Sequence, residues 1–112
     1  MIFVDYLGPA ALYQQARGAV AACVATALRS PVDQVSVRRI VTEDGGGDAE
    51  VWIELSTEEQ LYRVGEGLAK SIHEALSVAF AGGQVWVMYR IVPRSHAFLN
   101  GSPRHRGTAG FE

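Results

Sequence analysis

Apolar positions along the chain recur in two rhythms, and the switches between them divide it into six elements. Residues 2–7, Ile-Phe-Val-Asp-Tyr-Leu, form a short β-rich run that Gly8-Pro9 closes. Pro9 suits the first turn of a helix, where its missing N–H is unneeded. Over 11–29, Leu12, Ala16, Ala19, Val20, Cys23, Ala27 and Leu28 recur at helical spacing, and Ser30-Pro31 stops that helix. Val35, Val37 and Val41 then fall on odd positions with Ser36 and Arg38 between them, which predicts a half-buried strand. Arg39 interrupts the odd face where the strand leaves the core.

Residues 44–48, Asp-Gly-Gly-Gly-Asp, predict a turn into a second strand over 50–55. Val51, Ile53 and Leu55 share one face of that strand, and Trp52 and Glu54 the other. Ser56-Thr57-Glu58-Glu59 fits a capping box with Ser56 as N-cap. The helix that follows carries Leu61, Val64, Leu68, Ile72, Ala75 and Ala79 on one stripe and ends at Gly82-Gly83. Its polar face offers the i,i+4 pairs Glu59/Arg63 and Glu66/Lys70. A last strand covers 85–92, before Pro93.

The order is therefore strand, helix, strand, twice over, with halves at about 2–42 and 50–92. A unit of this size makes a right-handed crossover between parallel strands. Two of them side by side predict an α+β domain over 1–100, one four-stranded sheet with both helices on one face. Residues 101–112 read as a flexible tail. The helix-free face would carry Ser36, Arg38, Trp52, Glu54, Trp86, Met88 and Arg90. An apolar patch of that size marks an interface, so a homo-oligomer is expected.

Composition narrows the function classes. At 112 residues with 48% hydrophobic content, the chain is globular and long enough for one domain. A net charge of −2 speaks against nucleic acid as the default partner. Between 90 and 106, however, lie Arg90, Arg94, Arg104 and Arg106 with no acidic residue, read as a solvated tail or an anion or subunit contact. The lone Cys23 permits no internal disulfide and suits a reducing compartment. No signal peptide or membrane-length apolar run is visible, so a cytoplasmic location is expected. His73, His96 and His105 lack metal-ligand spacing, and the glycines at 45–47 lack the Lys-Ser/Thr of a phosphate loop. No cofactor is expected.

Certain segments resemble the tautomerase superfamily, in particular 4-oxalocrotonate tautomerase. They are residues 52–60, Trp-Ile-Glu-Leu-Ser-Thr-Glu-Glu-Gln; the helix from Leu61 to His73; and 85–101, where a strand, Val-Pro-Arg and a terminal Asn-Gly follow in order. In the first half, 36–43, Ser-Val-Arg-Arg-Ile-Val-Thr-Glu, is similar to the family's second strand. Two fused halves resemble the branches like macrophage migration inhibitory factor. The resemblance implies a homotrimer with pockets at subunit boundaries and a reaction that moves a proton in enol and keto acids.

It also implies an N-terminal proline as base, and here that position is Ile2, with Met1 before it. The Met1 amine, with a reference pKa of about 7.7–8.0, would sit about 3.5 Å from the expected spot, a misplacement that costs rate. Arg38 matches a substrate-carboxylate arginine, whose fork suits a carboxylate; an interface or surface ion pair is the other reading. A second family arginine matches Ser56, so half of that clamp is absent. Trp86 and Met88 match pocket-lining positions, and packing is the alternative for Trp86. Two functions stay open: an isomerase or lyase on small enol or keto carboxylates, and a trimeric module that kept the fold and lost the chemistry. A ferredoxin-like domain, with the same order of elements and different strand pairing, is a third.

Overall fold

The computed structural model describes residues 1–43 and 47–103. The order is β1 (Ile2–Leu7), α1 (Ala10–Leu28), β2 (Val35–Arg39), β3 (Ala49–Leu55), α2 (Glu58–Ser77) and β4 (Val85–Ile91), then a small hairpin of β5 (Phe98–Leu99) and β6 (Ser102–Pro103). The sheet order is β2-β1-β3-β4. β1 and β2 run parallel, as do β3 and β4, and the halves meet antiparallel through β1 and β3. Each half thus pairs its own two strands, whereas the split β-α-β of a ferredoxin-like domain separates them. That alternative is excluded.

Alternation along each strand sorts the side chains. Val4 and Tyr6 of β1, Val51, Ile53 and Leu55 of β3, and Leu12, Ala16, Val20, Val24, Leu68, Ile72 and Leu76 of the helices form one buried core. Val35, Val37, Val85, Val87 and Tyr89 extend it towards both sheet edges. Both helices lie on this face. The Tyr13 hydroxyl donates to the Val37 carbonyl at 3.2 Å, and the Tyr89 hydroxyl to the Gly65 carbonyl at 2.6 Å.

Four details differ from the pattern-based expectation. The N-cap of α2 is Thr57, whose side chain accepts from the Gln60 N–H. Gln60 in turn reaches back to accept from the Ser56 N–H at 2.7 Å. The cap is Thr-x-x-Gln, one residue later than the expected Ser-x-x-Glu, and its return bond goes to the N–H of the residue before the N-cap. Second, α2 ends at Ser77, before Gly82-Gly83. The Ser77 hydroxyl bonds back to the His73 and Glu74 carbonyls, and Ala79 N–H turns back to Leu76 O. Leu76 therefore closes the buried stripe, and Ala79 is exposed.

Third, Pro9 is the N-cap of α1, in extended backbone, and Arg29 in the left-handed region ends that helix before Ser30-Pro31. Fourth, β2 stops at Arg39 after the Ile40 N–H bonds to Tyr6 O, and Val41 is 70% exposed. The expected ion pairs Glu59–Arg63 and Glu66–Lys70 both form. Of the turn at 44–48, residues 44–46 lie outside the described residues, as do 104–112 with Arg104, His105 and Arg106.

Candidate functional site

The helix-free face of the sheet is built by the other half of each alternation. Register places Asp5 between Arg38 on β2 and Trp52 on β3, with Met88 on β4 beside Trp52. Phe3, Glu50, Glu54, Trp86 and Arg90 belong to the same face.

A charged row crosses its centre. Asp5 is 7% exposed, the one buried charged residue among those described. Its Oδ1 accepts from Arg38 Nε at 2.8 Å and lies 2.7 Å from Arg38 Nη2. Its Oδ2 accepts from Arg90 Nη1 at 3.3 Å, reaching across β3. Each guanidinium also lies over an aromatic ring of this face. Arg38 Cζ is 5.0 Å from the Phe3 ring centre, and Arg90 Cζ is 4.8 Å from that of Trp52. The indole N–H groups are used too: Trp52 donates to Glu50 and Trp86 to Asp48.

Of the residues singled out in the sequence, Arg38, Trp86 and Met88 share this face, whereas Ile2, at the start of β1, packs against the core on the opposite face, and Met1 before it is 43% exposed. Ile2 is opposite Val35, three residues before the level of Arg38, or about 10 Å along the strand at ~3.3 Å per residue. Met88 sits three strands from Arg38, about 14 Å at ~4.8 Å per strand. One protomer alone therefore does not gather Met1, Arg38 and Met88 around a single small molecule.

The pattern-based reading missed Asp5, Phe3 and the position of Arg90 in this row. Alternation along β1 already carried the signal, since Asp5 falls on the face opposite to Val4 and Tyr6. An acidic residue in the middle of a strand needs a cation on a neighbouring strand, and register supplies Arg38.

Other candidate groups are used structurally. Cys23 borders a groove of about 470 Å³ between α1 and α2 with Ala22, Thr26, Arg63, Gly67 and Ser71. Burial, and then the Glu74 charge, push its thiol pKa up, away from the thiolate a nucleophile needs. Burial raises the Tyr6 hydroxyl as well, against a partial pull downward from Arg39. His73 and His96 are exposed. Among the described residues no three His, Cys, Asp or Glu side chains are grouped to hold a metal ion.

The hairpin at the end of the described chain turns on Asn100-Gly101, both at positive φ, 53° and 82°. Such a pair matches the two-residue turn whose twist suits a β-hairpin. It leaves Phe98 63% and Leu99 66% exposed.

No protein-family model and no curated protein matches the chain by sequence. Solved structures match it by shape. A native fused 4-OT is 15% identical at a TM-score of 0.69, covering 92% of this chain and 96% of that one. A fused 4-OT solved as a wild-type asymmetric trimer is 11% identical, also at 0.69, over 92% and 96%. A macrophage migration inhibitory factor-like protein from Entamoeba histolytica is 13% identical at 0.65, over 90% and 96%. At these identities the likeness is one of fold.

Proposed function

Since the chain has the tautomerase fold, we propose that it acts as a homotrimeric module whose subunits meet across the helix-free sheet face. The observation that carries this reading is the apolar content of that face. Trp86 is 53% exposed in the single chain, Met88 follows two residues along the same strand, Trp52 lies diagonally across on β3, and Phe3 adds apolar surface further along the same face. Arg38 and Arg90 are already held by Asp5, which lowers the cost of drying those groups. The exposed Phe98 and Leu99 of the hairpin add a second apolar contact. A similar fold solved as a trimer supports the stoichiometry. The lone Cys23 suits a reducing, cytoplasmic setting.

Trp86→Glu tests the interface, since a carboxylate would have to be buried there. The expected result is a shift to a smaller species in light scattering, while Tyr62→Glu, on an α2 position 87% exposed, leaves the mass unchanged. Equal masses for both variants and the wild type would sink the choice of face.

The second reading is an isomerase or lyase on small enol or keto carboxylates. Arg38 on the open face favours it, with Trp86 and Met88 as pocket walls and the Met1 amine as base. Two facts weigh against it. Ile2 stands where the resemblance expects a proline, and the Arg38 fork already holds a carboxylate. Turnover of phenylenolpyruvate should accordingly be negligible. A rate near that of a median enzyme, about 10 per second, would favour the catalytic reading.

A further inference from the structure

The central row of the sheet face has the geometry of an occupied ligand site. Two guanidiniums from the two edge strands converge on one carboxylate, Arg38 on its Oδ1 and Arg90 on its Oδ2. Each guanidinium lies over a ring, Arg38 over Phe3 and Arg90 over Trp52. The carboxylate is buried, whereas the two arginine side chains are 49% and 45% exposed. Both Arg38 nitrogens meet Oδ1 and one Arg90 nitrogen meets Oδ2, so the two guanidiniums together serve both oxygens, as charge-assisted sites for free carboxylates do. Here the carboxylate belongs to β1 of the same chain.

We propose that Arg38 and Arg90 form a clamp for one small monocarboxylate, and that Asp5 is its built-in occupant. While Asp5 is present, the clamp is closed to outside anions. Without the Asp5 side chain, the two cations face each other across a gap of carboxylate size, and a free carboxylate fills it. Arg90 is then a second binding residue, with one longer contact beside the two short ones of Arg38, and Asp5 is the residue that decides whether the face binds an anion at all. The inference rests on the strand register and these contacts within one chain, not on the proposed trimer.

The test is rescue by acetate. Thermal unfolding of the full chain is followed for wild type, Asp5→Ala and Asp5→Ser in sodium acetate and in sodium chloride at matched ionic strength. Matching removes general screening, and specific binding to the folded state raises the midpoint. Asp5→Ala is expected to melt below wild type in chloride and to regain most of that loss in acetate. Asp5→Ser, which keeps a small polar group, is expected to respond in the same direction. Wild type should melt at the same temperature in both salts. Adding Arg90→Gln to Asp5→Ala should abolish the acetate response.

Identical midpoints in the two salts for both variants would overturn the proposal. Should neither variant fold, the arginine Nε–H signals of the wild type decide by NMR. They are expected to stay fixed as acetate is added, and movement of the Arg38 signal would show that Asp5 does not hold the clamp. A single-chain mass for the wild type would defeat the trimer and leave this inference standing. Absence of rescue in Asp5→Ala combined with Trp86→Glu, which opens the face to solvent, would overturn this inference and leave the trimer standing.

Discussion

Single side chains do most to fix how the helices sit on the sheet. The Tyr89 hydroxyl donates to the Gly65 carbonyl at 2.6 Å, and a Cβ at position 65 would meet Leu61 at 2.9 Å. That neighbour is the end of a flexible side chain on α2 itself, and the Tyr89 ring of β4 would lie at an ordinary 3.7 Å, so the glycine makes room for Leu61 beside the hydrogen bond. Burial pushes the Tyr89 pKa up from 10.0 to about 12, because the phenolate would be poorly solvated. Its folded value lies above its unfolded value, so the native state favours the protonated form. That contribution is whole below pH 10 and is lost as pH rises towards 12. Tyr89→Phe should cost about 1 kcal/mol at neutral pH. In urea unfolding, its deficit relative to wild type should shrink between pH 10 and 12. A deficit that widens over that range would contradict the role given to this hydroxyl.

At the scale of elements, the start of α2 separates two sequence patterns that look alike. The structure places the cap at Thr57, with Gln60 returning to the Ser56 N–H. Thr57→Ala should therefore cost about 1 kcal/mol, within the usual ~0.5–2 for a lost N-cap, and Ser56→Ala should cost much less. Denaturant midpoints of the two variants decide it, and the reverse order would restore the earlier register. Hydrophobic rhythm made the six main elements legible, because burial of one face imposes periods of 2 and 3.6 whatever the fold. It could not locate ends. The last turn of α2 depends on Ser77 bonding back to His73 and Glu74, and the end of β2 on one bond from Ile40 to Tyr6. The candidate site was half legible for a related reason. Arg38 stood out by resemblance, but its partner is 33 residues away, and only strand register brings Asp5 beside it.

For the whole molecule, the two faces of the sheet have different tasks. One is closed by α1 and α2 over a continuous core. The other has no helix and presents Phe3, Trp52, Trp86 and Met88 around a paired charge row. Among the described residues no helix is long and apolar enough to cross a membrane. The proposed trimer covers that face with copies of the same chain, and the exposed Phe98 and Leu99 of the hairpin would add to that contact. The mass of the wild-type protein by sedimentation equilibrium, over a range of concentrations, tests this most directly. The account predicts a species of three times the 12.1 kDa chain mass that persists on dilution. A single-chain mass at every concentration would contradict it.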